Sequence, residues 1–117
     1  MISPDICNLT GNLEDLNMPA IKLLIHAPTP EALKRAQNNA RNLLKLEADA
    51  MIEIVVNGAA VAAITSVVDP SVLPLLVLCR NSLEGQQLDP PANIKVVVAA
   101  VQYLAHQQAS GWAYMRA

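Results

Sequence analysis

Residues 75–79, Leu-Leu-Val-Leu-Cys, form a short apolar run that passes directly into Arg80-Asn81-Ser82-Leu83-Glu84-Gly85. A run that is apolar at every position, rather than at every second one, suits a strand buried on both faces. Such a strand needs helices in front and behind, which narrows the fold to a layered α/β arrangement. The polar sequel can open a helix, with Asn81 or Ser82 as cap and Glu84 in the first turn. Cys79 then stands at the carboxyl end of a strand and beside the amino end of a helix. In open α/β sheets ligands bind at that rim, and a helix amino end favours a thiolate.

The rest of the chain repeats the alternation. Ile21–Ala27 is expected to be a strand ending near His26. Thr29-Pro30-Glu31 then gives an N-cap, a first-position proline and an acidic first turn. The helix that follows runs to about Leu46, with Leu33, Ala36, Ala40, Leu43 and Leu44 on one stripe. Met51–Val56 is the second strand, closed by Asn57-Gly58. Ala59–Ser66 is a short helix and Leu73–Leu78 the third strand. Asp89-Pro90-Pro91 breaks the chain before Ile94–Ala99, the fourth strand. Val101–Ser110 is a helix with Val101, Leu104, Ala105 and Ala109 inward and Gly111 as its stop. Trp112–Arg116 is a last strand with Trp112, Tyr114 and Arg116 on one face.

The order βαβαβαβαβ predicts a three-layer sandwich around a five-stranded, mostly parallel sheet with right-handed crossovers. The hydrophobic content of 53% with no Phe agrees, since aliphatic side chains suit central parallel strands. Residues 21–117 make one domain. Residues 1–20, punctuated by Pro4, Asn8, Gly11, Asn12, Asn17 and Pro19, read as an extension that drapes over it or is partly mobile. In a parallel sheet all carboxyl ends share one rim. His26, Asn57, Cys79 and the Ala99-Ala100 turn are therefore expected along one edge.

Composition and motifs exclude several functions. A net charge of −2 gives no footprint for nucleic acid or anionic lipid. Apolar region 52–78 is broken by Glu53, Asn57, Gly58, Asp69, Pro70 and Pro74, so no membrane span is expected. The N-terminus lacks the pattern of a secretory signal, and Cys7 and Cys79 make no disulfide framework, which points to a reducing cytoplasm. The first strand–helix turn, HAPTPE, has no glycine and is neither a dinucleotide turn nor a P-loop. No zinc spacing is present, and His26 with Cys79 offers two ligands, so neither metal nor cofactor is expected.

Thiol chemistry remains. A thiolate at a helix amino end, close to Arg80, is a competent nucleophile and sulfur acceptor. The residues leave alternatives open around it. Cys79 is either reactive or a packed core thiol. His26 either assists proton movement or is satisfied by a strand-end carbonyl, and Asn81 either caps a helix or orients a bound sulfur species. Asn57, Gly58, Arg80, Asn81 and Ser82, with His26, complete the expected pocket.

The Cys79-Arg80-Asn81-Ser82-Leu83 turn after an apolar strand resembles the cysteine turn of the DsrE/DsrF-like proteins, small α/β proteins connected with intracellular sulfur transfer. The resemblance extends over most of the chain from Ile21. It takes in the strand ending in His26, Asn-Asn-Ala-Arg-Asn at 38–42, Ile54-Val55-Val56-Asn57-Gly58, and Ser110-Gly111-Trp112-Ala113-Tyr114-Met115. It implies a parallel five-stranded fold, assembly as homotrimers or hexamers, and a persulfide carried on Cys79 in exchange with sulfur donor and acceptor proteins. Residues 1–20 are longer than the usual family start, and the cysteine turn resembles the stand-alone members more than the dedicated relay subunits.

Overall fold

A computed structural model describes residues 20–117. The sheet has five strands: β1 (Lys22–Ala27), β2 (Met51–Val56), β3 (Leu76–Cys79), β4 (Lys95–Val97) and β5 (Ala113–Arg116). Their order is β4-β3-β2-β1-β5, and every neighbouring pair is parallel. Helices α1 (Pro30–Leu46), α2 (Ile64–Val67), α3 (Arg80–Gly85) and α4 (Ala100–Ala109) connect them. The expected α/β fold with its parallel five-stranded sheet is therefore present.

Strand parity sorts the side chains into two faces. Ile25, Ala27, Ile52, Ile54, Val56, Leu76 and Leu78 point to the face covered by α1, where Ala32, Leu33, Ala36 and Ala40 close a continuous apolar core. Leu24, Val55, Val77 and Cys79 point to the opposite face, against Ala100 and Leu104 of α4. Helix α4 is the crossover from one sheet edge, β4, to the other, β5.

Helix α1 begins as its sequence dictates. Thr29 is its N-cap, and the hydroxyl accepts the Ala32 N–H at 3.0 Å. Gln37, buried on the same helix, donates to the Val67 carbonyl at 2.8 Å and accepts the Asp69 N–H at 2.9 Å. It thereby ties α1 to the turn after α2 and satisfies one backbone donor and one acceptor there.

Several local expectations need correction. Gly58–Ala63 is a 3₁₀ segment that becomes α-helical only over Ile64–Val67. The third strand starts at Leu76, because Pro70–Leu75 winds as 3₁₀ after Asp69, whose side chain caps Ser71 N–H. Pro70 and Pro74 supply no N–H for a ladder, so that apolar run cannot pair as a strand over its whole length. Helix α4 is rotated from the predicted orientation. Val101 is 77% exposed and Ala105 and Ala109 face outward, whereas Ala100 and Leu104 are buried and Tyr103 and Gln107 half-buried. The cause lies in the sheet beneath, which presents Glu53 and Lys95 at that level. Tyr103 places its hydroxyl between them, donating to Glu53 and accepting from Lys95 Nζ at 2.9 Å.

Candidate functional site

Cys79 is the last residue of β3 and also the N-cap residue of α3, which opens at Arg80 without a side-chain cap. Neither Asn81 nor Ser82 caps that helix. Both lie inside its first turn, where their backbone N–H groups turn towards the Cys79 sulfur. Ala100, the first residue of α4, donates its N–H to Cys79 Sγ at 3.4 Å. The sulfur thus lies between the amino ends of two helices. The Asn81 N–H also reaches the Val98 carbonyl at 3.3 Å, which holds the α3 start against the turn leading into α4.

Cys79 is 4% exposed. Burial, the largest single influence, pushes its thiol up, but the Ser82 hydroxyl and the N–H groups of Ser82, Ala100 and Asn81 together hold it below the ordinary value. Arg80 was expected to contribute to that lowering. It is exposed, and it is not among the groups acting on the sulfur. The Ser82 hydroxyl, followed by the backbone N–H groups, does the work expected of the Arg80 guanidinium.

The Asn57-Gly58 turn connects this thiol to the neighbouring strands. Gly58 N–H donates to Ser82 Oγ at 2.9 Å, and Ser82 is in turn the residue that most lowers the Cys79 thiol. Gly58 has φ +57, and a Cβ there would stand 3.0 Å from the Pro28 carbonyl oxygen. Both conditions call for glycine. On the other side, Asn57 Oδ1 lies 2.9 Å from His26 Nε2, and the Tyr114 hydroxyl lies 2.7 Å from His26 Nδ1. With Asn57 presenting its oxygen, His26 Nε2–H donates to it, while Nδ1 is bonded to the Tyr114 hydroxyl.

The structure therefore gathers His26, Asn57, Gly58, Ser82 and Cys79 at the carboxyl rim, with His26 bonded to Asn57 and Gly58 to Ser82 across the ends of β1, β2 and β3. His26 does not reach the thiol. It stands two strands away, about 10 Å at ordinary strand spacing, and both ring nitrogens have other partners. The expected strand-end carbonyl is not its side-chain partner either; the His26 carbonyl accepts Ala117 N–H instead. Arg80 and Asn81 have exposed side chains beside the site.

Tyr114 was missed as a member of this network. The strand pattern gave its face, and the register Leu24↔Tyr114 confirms that it shares a face with His26. What the sequence withheld was the sheet order, which brings β5 beside β1. A second polar group, Glu53–Tyr103–Lys95, was also missed; Lys95 Nζ lies 3.4 Å from Glu53 Oε2 and 4.8 Å from the Tyr103 ring centre. It satisfies itself under α4 and belongs to the amino half of that face. Cys7 and the rest of the expected extension up to residue 19 lie outside the described residues.

Among the described residues, no three of His, Cys, Asp and Glu converge as metal ligands, and no helix is long and apolar enough to cross a membrane. No family model and no curated protein matches the chain. Among solved structures, the fold is similar to that titled a protein of unknown function, MTH1491, from Methanobacterium thermoautotrophicum. The match has a TM-score of 0.68 and 21% identity, and covers 84% of this chain and 98% of the other. A likeness at that identity establishes a shared α/β architecture, which is the one described above.

Proposed function

We propose that the protein is a sulfur carrier of the DsrE/DsrF-like kind, holding sulfane sulfur as a persulfide on Cys79 in a reducing cytoplasm. One observation carries this reading: the sulfur lies where the amino ends of α3 and α4 meet, accepting the Ala100 N–H at 3.4 Å with Ser82 in the first turn of α3 beside it. Those donors stabilise an anionic sulfur.

The step needs neither cofactor nor external oxidant. The Cys79 thiolate attacks the outer sulfur of a donor persulfide R–S–SH. A new S–S bond forms to Cys79, the donor's S–S bond breaks, and R–S⁻ leaves with the electron pair. The outer sulfur keeps its proton or loses it to solvent, and the oxidation level moves from donor to Cys79 unchanged. The small accessible surface of the thiol suits a slender sulfur terminus, such as that of a persulfide or polysulfide. Asn57, Gly58 and His26 act as positioning residues, because Gly58 fixes Ser82 and Asn57 fixes the turn.

Assembly belongs to the same reading. Val98 and Val101, 65% and 77% exposed, flank the start of α4 beside Cys79, and Tyr114 is 42% exposed on the same sheet face. Aromatic and aliphatic groups left open in this way favour self-association, and the family resemblance makes that a homotrimer or a pair of trimers. Sedimentation equilibrium at micromolar concentration tests this, and a clean monomer refutes it.

The burial of Cys79 among Leu24, Val55, Val77 and Leu104 favours a second reading, a binding or assembly module with a structural thiol. Mass spectrometry after exposure to polysulfide separates the two. A reversible one-sulfur adduct, lost in Cys79→Ser, supports the carrier; an unmodified Cys79 in the folded protein leaves the module.

A further inference from the structure

Helix α4 carries the Ala100 N–H that reaches Cys79 Sγ at 3.4 Å, and no side-chain cap fixes its start. The side chains that it buries are Ala100 and Leu104. Apolar contact of that kind is non-directional and does not by itself set the rotation of a helix about its axis. The directional contacts come from Tyr103, one turn along. Its hydroxyl donates to Glu53, and it accepts from Lys95 Nζ at 2.9 Å and from Gln107 Nε2 at 3.3 Å.

Glu53 belongs to β2 and Lys95 to β4, the strands on either side of β3, which ends in Cys79. The Tyr103 hydroxyl is therefore pinned from both flanks of the strand that delivers the thiol. Lys95 stands level with Val77, two residues or about 7 Å from Cys79 towards the amino rim. Tyr103 lies about 4.5 Å from Ala100 in the same direction along the helix. The tether and the sulfur contact are thus neighbouring rungs between one helix and the same strands.

We propose that Tyr103 is a positioning residue for Cys79: by fixing α4 on Glu53 and Lys95 it keeps the Ala100 N–H on the sulfur. This role rests on the carrier reading of Cys79, in which that N–H serves an anionic sulfur. Neither Tyr103 nor its partners Glu53 and Lys95 are among the groups acting directly on the thiol, so the effect passes through the helix. The tether also outlasts the titration of the thiol. Burial and the bond to Glu53 push the Tyr103 hydroxyl up, and the Tyr103 hydroxyl raises Lys95 against the opposing effect of burial. The tyrosine keeps the proton that it donates, and the lysine its charge, over the range in which Cys79 ionises.

The pH profile of Cys79 alkylation in the full-length Cys7→Ser protein tests this. Tyr103→Phe keeps the ring and loses the hydroxyl. Its inflection should move up by roughly half a pH unit, as when one hydrogen bond to a charged sulfur weakens without being lost. Glu53→Leu should move it up as well, although loss of a carboxylate beside Lys95 would by charge alone move it down. Glu53→Gln removes the same charge but keeps an oxygen to accept from Tyr103, and it should not move the inflection up. Ile52→Val, a comparable loss of stability on the α1 face, should leave it in place. An inflection unmoved in Tyr103→Phe, or a rise as large in Glu53→Gln or Ile52→Val, overturns the proposal. If Tyr103→Phe does not fold, Glu53→Leu against Glu53→Gln decides by the same criterion. The one-sulfur adduct is read on the Cys7→Ser protein alone. A missing adduct with a shifted inflection removes the carrier and keeps the tether, and the reverse result removes the tether only.

Discussion

The two faces of the sheet are built on different terms. The α1 face is closed by aliphatic side chains from every central strand, and Ile25, Leu33, Ile54 and Leu78 on it are wholly buried. Among the described residues the α4 face has a single helix over it and a mixed surface: a small apolar patch around Leu24, Val77 and Leu104, with Glu53–Tyr103–Lys95 below and His26–Tyr114 beside it. Apolar burial stabilises without fixing any particular atom, whereas polar contacts fix geometry at little net gain. One face thus holds the fold together while the other can carry a site. Cys79 sits where the second face meets the rim.

The sharpest way to break that comparison is to make the same truncation on each face. Leu33→Ala removes a fully buried side chain from the α1 face and should cost about 3–5 kcal/mol, while Leu104→Ala, at 8% exposure under α4, should cost about 2. Urea unfolding of the two variants measures both. Equal losses would mean that the α4 face contributes as much as the α1 face, and the division of labour would fail.

Gly58→Ala comes next, at about 1–2 kcal/mol for an L side chain at φ +57. The contact with the Pro28 carbonyl adds to this, since backbone cannot yield as a side chain tip does. Moving Gly58 also moves the N–H that holds Ser82 Oγ, so this variant should slow Cys79 alkylation. A variant that is destabilised yet alkylated at the normal rate would separate the turn from the thiol.

On the mixed face, Tyr103→Phe removes a hydroxyl shared by Glu53, Lys95 and Gln107. Its loss should cost about 1 kcal/mol, because Glu53 and Lys95 remain paired at 3.4 Å. Denaturation of the variant at neutral pH measures it. A loss as large as that of Leu33→Ala would show the polar group to be a main support of the fold.

The faces differ in how far the sequence discloses them. The α1 face was legible because its strands are apolar at successive positions and its helix has one clean stripe, Leu33, Ala36 and Ala40. The N-cap Thr29 and the stop at Gly111, with φ +99, were legible from local backbone chemistry. Helix α4 was misread because its outward Val101 looks like core and its inward Tyr103 and Gln107 look like surface. Only the charges beneath reverse that reading. At the rim, parallel pairing was enough to bring His26, Asn57 and Cys79 to one edge. Chain order could not show that Ala100 rather than Arg80 attends the sulfur, because the two amino ends meet only after β4 has paired with β3.

The smallest expected effect is the pH dependence of Cys79, and it compares the two helix ends directly with solvent. The thiol's folded pKa is depressed because Ser82 and the N–H groups of Ser82, Ala100 and Asn81 outweigh burial. An acid with a depressed folded pKa contributes its full stability above the unfolded value, about 8.5 for cysteine, and loses it as pH falls through the folded value. The stability difference between the Cys7→Ser protein and the same protein carrying Cys79→Ala should therefore grow as pH rises through that window and level off above it. Alkylation of Cys79 should show its inflection inside the same window. Ser82→Ala removes the hydroxyl, the largest of the lowering influences, so the inflection should move up towards the free-thiol value while the Ala100 contact keeps it from arriving there. An inflection unmoved by Ser82→Ala would leave the backbone donors to hold the thiolate alone. An inflection at or above the free value would mean that burial wins, and the rim would then hold a core thiol with no ionised sulfur to lend.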